Sequence, residues 1–190
     1  MAGRAIDTYL NDHLGGAKFG IDLAEQIRDS HEGTPLGDAM KALATEIEQD
    51  RQALLELMER IGTQPNPIKQ ATGWLAEKVS RVKFASTMSG APDHGAFMAL
   101  ETLALGVDGK ASMWRALKEV AGDYPSLATT NLDELITRAE AQSTILEHEW
   151  VVAGRRALGN PEPTTPERVN PYSAENPPTS PDRTPETAFS

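Results

Sequence analysis

A chain of 190 residues with 39% hydrophobic content is long enough for one ordinary core and short for two. Its formal net charge of −10 works against nucleic-acid and anionic-membrane partners, which require a positive surface. With no cysteine, disulfide scaffolds, thiolate metal sites and cysteine nucleophiles are excluded together.

The N-terminal stretch "MAGRAIDTYLND" lacks the continuous apolar run of a signal peptide, so the expected location is the cytoplasm. Helix punctuation then recurs along the chain. Gly33 with Pro35, Gly62 with Pro65, Gly90 with Pro92, Gly122 with Pro125 and Gly159 with Pro161 each pair a residue that closes helices with one that cannot continue them. Thr34 before Pro35 offers an N-cap, and Asn131 with Glu134 has capping-box spacing. The expected helices are 5 to 31, 35 to 61, 68 to 84, 94 to 121 and 131 to 158. No segment alternates for long enough to predict a strand.

Apolar stripes run along each helix at 3.6-residue spacing. Ile6, Leu10, Ala17 and Ile21 mark the first; Met40, Leu43, Ile47, Leu54 and Leu57 the second; Leu100, Ala104, Val107, Trp114 and Leu117 the helix 94 to 121; Leu135, Ala139, Leu146 and Trp150 the last. Trp74 belongs to the shorter apolar face of 68 to 84. After Gly159, where eight of the 13 prolines fall, few apolar residues remain. The expected organisation is a helical domain over 1 to 159 and a disordered Pro-rich tail over 160 to 190.

Two long helices, a connection of about thirty residues holding a short helix, then two more long helices form an all-α layout that resembles the ferritin-like four-helix bundle. It is similar to bacterial proteins of that superfamily over roughly residues 5 to 158. The resemblance implies di-iron chemistry only if Glu-x-x-His motifs are present. They are not: Leu10, Arg28, Ala91 and Ile145 stand three residues before His13, His31, His94 and His148. No cofactor is therefore expected, with iron or manganese on nonstandard ligands as the alternative.

Candidate ligands for that alternative are polar residues on or beside the stripes: His13, Asp50, Glu101, His148 and Glu149. Counting from the hairpin turns sets His13 opposite Asp50, as a structural bridge or half a metal site, and Glu101 opposite His148 and Glu149. A ferritin-type crossover would separate the two pairs by about 15 Å along the helices. Gly15, Gly16 and Gly20 in the first helix, with Gly106 and Gly109 in 94 to 121, each cost about 1 kcal/mol relative to alanine. Close helix packing is the expected compensation, and room for a ligand is the alternative.

Neither a Walker loop, nor His-Glu-x-x-His, nor Gly-x-Ser-x-Gly occurs. The expected function is non-catalytic, with a protein partner or self-association; the alternative is a degenerate metal-binding protein or oxidoreductase.

Overall fold

A computed structural model describes residues 5–66 and 92–159, which belong to one compact unit, Met1–Gly159. The expected helix over 68 to 84 and the Pro-rich tail lie outside the described residues. Those that are described are all-helical, without a strand. The long helices are α1 (Ala5–Ser30), α2 (Pro35–Ile61), α3 (Pro92–Glu119) and α5 (Leu132–Leu158); a 3-10 turn (Ala121–Asp123) and the single-turn α4 (Pro125–Ala128) join α3 to α5. No described helix is long and apolar enough to cross a membrane.

Local chemistry accounts for most boundaries. The Thr34 hydroxyl accepts from the Gly37 backbone N–H at 3.2 Å, and Pro35 occupies the first turn of α2, where a missing N–H costs nothing. Gly62 closes that helix in the left-handed region at φ 79°. The Asn131 side chain accepts from the Glu134 backbone at 3.2 Å and donates to its carboxylate at 3.0 Å, opening α5. One expected stop works differently. Gly159 is extended at φ −65° and ψ 139°, so α5 ends without a left-handed residue, while Pro92 begins α3 and the stop expected at Gly90 lies outside the described residues.

Specific contacts fix how the long helices run. Asp7 of α1 meets Thr63 just beyond α2, and Gly20 lies beside Ile47, so α1 and α2 are antiparallel. Phe97 stacks on Trp150 while Lys118 pairs with Asp133, making α3 and α5 antiparallel. Gly20 also faces Leu103, and residues 5–12 line a groove with 116–124, so α1 and α3 are antiparallel. Arg60 reaches Thr130 while Glu46 reaches Gln142, which gives α2 and α5 the same relation. It follows that α2 and α3 run in one direction.

The apolar interior is in two parts. One gathers Ile21, Ile27, Met40, Leu43, Leu100, Leu103 and Leu146; the other gathers Leu10, Leu14, Leu54, Leu57, Trp114, Leu117 and Leu135. Between them each helix supplies something other than a large apolar residue: Gly15, Gly16 and Ala17 from α1, Asp50 from α2, Lys110 from α3 and Gln142 from α5. This intermediate level is where function is sought.

Candidate functional site

Asp50 is placed on the buried stripe of α2 by the spacing Ile47, Asp50, Leu54, and its side chain is 1% exposed. An ionised carboxylate is tolerated there only with donors on its lone pairs. Three side chains from the opposite hairpin supply them. Lys110 Nζ donates to Oδ2 at 2.5 Å, Arg138 donates to Oδ1 through Nη2 at 2.5 Å and Nε at 2.7 Å, and Gln142 Nε2 donates to Oδ2 at 3.3 Å. Gln142, itself fully buried, donates also to Glu46 at 3.0 Å and accepts from Lys110. Burial pushes the Lys110 ammonium below its ordinary range, and the neighbouring Asp50 carboxylate opposes that push.

A cavity of about 280 Å³ opens beside this layer, between α1 and α3 with α2 behind it. Apolar walls come from Phe19, Leu54, Leu103, Met113 and Trp114, while Asp50, Lys110, Arg51 and His13 bring polar atoms to it. Gly16, Gly20, Gly106 and Gly109 also line it. A Cβ on Gly16, Gly106 or Gly109 would meet no atom within 4 Å, and one on Gly20 would make ordinary contact with Leu103 at 3.7 Å. Close packing therefore does not explain Gly16, Gly106 and Gly109, which leave open space instead, while Gly20 sits at ordinary contact distance from Leu103 and Ile47. Gly15 is buried. The tight glycines lie elsewhere: a Cβ on Gly37 would stand 2.2 Å from the His31 carbonyl oxygen, and one on Gly154 would stand 3.1 Å from the Phe97 ring.

His13 lines the same cavity as Asp50, but the expected pair does not form. Lys110, Arg138 and Gln142 surround the carboxylate, and no hydrogen bond or ion pair joins His13 to any of the described residues. Its ring instead meets Tyr9 edge-on, with centroids 4.7 Å apart and an interplanar angle of 73°. Burial pushes the imidazole below its ordinary pKa, partly offset by Asp12. Burial thus favours the neutral ring. Burial alone raises the neighbouring Tyr9 phenol.

The remaining candidates are not brought together with these. Glu101 lies nine residues before Lys110 on α3, about 14 Å along the axis. It is half-buried, as is Glu149, while His148 is exposed. No cluster of three or more His, Asp or Glu residues suited to a metal ion occurs among the described residues.

Sequence reasoning singled out Asp50 and His13 but missed Lys110, Arg138, Gln142 and Arg51. Gln142 had the clearest signal, since it continues the stripe between Ala139 and Leu146. Long cationic side chains usually lie at the surface, so nothing in their own spacing marked the others.

Among the described residues, three buried side-chain donors lack an acceptor. These are Arg51 Nε, Trp114 Nε1 and Trp150 Nε1. Arg51 and Trp114 line the cavity, and Trp150 belongs to the Phe97 stack.

No family model matches this chain, and no curated protein or solved structure is significantly similar to it.

Proposed function

We propose that this chain is a non-catalytic binding protein on a ferritin-like four-helix bundle, with the cavity between α1 and α3 as its recognition element. The helix directions support the ferritin-like assignment. α2 and α3 run the same way, the relation between second and third long helices that a ferritin-like arrangement has. The cavity carries the binding role: an apolar, glycine-lined space of about 280 Å³ with a few polar atoms has the usual make-up of a ligand site.

The iron or manganese alternative does not fit these residues. The one deeply buried carboxylate among the described residues, Asp50, already accepts from Lys110, Arg138 and Gln142, and two of those are cations that would repel a metal ion. His13 and Asp12 also line the cavity, but among the described residues no three His, Asp or Glu side chains gather as a metal ion would need.

A protein partner or second copy is favoured by a separate observation. Leu105, at the cavity rim, is 50% exposed, and Tyr9 and Val120, exposed at 36% and 37%, line the adjoining groove. Light scattering across concentration tests this, with a Leu105→Glu variant expected to remove any dimer.

The main reading is tested with 1-aminonaphthalene, a neutral, largely apolar fluorophore small enough for a space of about 280 Å³. Its fluorescence should rise on mixing with the intact chain and stay low with Gly109→Leu, whose side chain would fill the open space. An equal response from both proteins overturns the assignment of the cavity. Stoichiometric iron or manganese retained by untagged protein, and lost in Asp50→Asn, would overturn the non-metal reading.

A further inference from the structure

The cavity has a size, a wall chemistry and a pair of unused donors, and together these narrow its ligand. A cavity of about 150 Å³ holds benzene, so the present volume of about 280 Å³ suits a molecule of roughly ten to twelve non-hydrogen atoms. A two-chain lipid is far too large. The walls at Phe19, Leu54, Leu103 and Met113 call for an apolar body.

The polar side is unbalanced towards donation. Trp114, 0% exposed, has its indole N–H without an acceptor, and Arg51 Nε is likewise buried and unpartnered although its Nη1 reaches Glu48 at 3.0 Å. A buried donor left unmatched costs free energy, and because both atoms are sealed from water-sized contact, the two side chains would shift to meet an oxygen acceptor in the cavity and so recover that cost. The cavity's own carboxylates do not compensate. Asp50 is saturated by Lys110, Arg138 and Gln142, and Asp12 is exposed to water. Lys110 spends two of its three N–H donors on Asp50 and Gln142, and Arg51 pairs with Glu48 through Nη1, so donors remain for an anionic oxygen head and none of them suits a cationic one.

The geometry points to a single-chain amphiphile with a carboxylate head, of the size of a medium-chain fatty acid, as the ligand of the cavity between α1 and α3. This rests on the reading of that cavity as a binding site. The carboxylate accepts from unpartnered donors of Trp114 and Arg51, and the chain lies along the open strip made by Gly16, Gly106 and Gly109, with Gly20 at its edge. An alanine at Gly16, Gly106 or Gly109 would begin to fill that strip without meeting any atom within 4 Å, so the openness is a property of these residues.

Calorimetric titration of the full chain with decanoate and with decyltrimethylammonium, both below their micelle concentrations, tests the inference. Decanoate is expected to bind one per chain with a Kd of tens of micromolar, and the cation at least tenfold more weakly. Gly16→Leu and Gly109→Leu should each weaken decanoate binding at least tenfold while circular dichroism shows unchanged helicity. Trp114→Phe, which keeps an aromatic side chain but removes the N–H together with the five-membered ring, should weaken it about fivefold. Equal affinity for the two heads would overturn the carboxylate assignment and leave the cavity reading standing. Failure of both probes to bind would remove both, and decanoate binding untouched by the glycine variants would place the ligand elsewhere.

Discussion

The apolar ends of the interior and the polar layer between them are built by opposite means. At each end, leucines, isoleucines and aromatics from neighbouring helices meet by repeating every three or four residues, and any one of them touches several equivalent neighbours. In the layer, a single carboxylate at Asp50 is matched by three particular donors carried on α3 and α5. The ends tolerate exchange of similar side chains, whereas the layer depends on all its members at once.

That contrast can be broken from its strongest side first. Asp50→Ala should destabilise the fold by about 3 to 5 kcal/mol, because Lys110 and Arg138 are left as buried or half-buried charges without their anion. Denaturant unfolding followed by circular dichroism measures it. Replacing the layer together, with Asp50→Leu, Lys110→Met and Arg138→Leu, should recover most of that loss; failure to recover would mean that Asp50 acts through something other than its ion pairs. In the ends, Leu100→Ala, at a fully buried position, should cost about 2 to 5 kcal/mol, and no second substitution in the polar layer should rescue it.

Glycines sharpen the comparison at smaller magnitude. Gly37→Ala should cost about 1 to 3 kcal/mol, since the new Cβ would stand 2.2 Å from a backbone oxygen of the α1–α2 turn. Gly16→Ala should instead raise stability by up to about 1 kcal/mol, because nothing opposes the better helix former. Equal losses at the two positions in thermal unfolding would show that the cavity is closed.

The smallest expected effect is a pH dependence from His13. Burial lowers its pKa in the folded chain, so between that value and the ordinary histidine pKa the unfolded chain binds more protons. This contribution to stability is complete above the ordinary pKa and is lost as pH falls through the lowered one. Thermal midpoints measured from pH 7.5 down to 5 should show a decline that His13→Gln reduces; identical profiles would leave His13 without a buried environment.

Legibility followed the same division. Helix positions and the all-α class could be read because caps, prolines and apolar periods act locally: α2 occupies its expected span, Pro35–Ile61. Asp50 stood out as a carboxylate in a core stripe, and its level relative to His13 followed from counting around the turn. Its partners did not follow, since a hairpin count compares only neighbours in sequence and the donors come from the other pair of helices. The glycines misled for a related reason. A missing side chain signals either contact or space, and only the facing helix decides. At Gly16 and Gly109 it is space; at Gly154 the Phe97 ring closes in.

The sharing of Asp50 between hairpins fixes more than charge. Sliding α2 along α5 by one helical turn, about 5.4 Å, would keep leucine against leucine at both ends but carry the carboxylate away from Arg138 and Gln142 into hydrocarbon. Greasy stripes are nearly indifferent to such a slip; an anion is not. The layer therefore works as an alignment mark, set when the two halves dock and hard to misread.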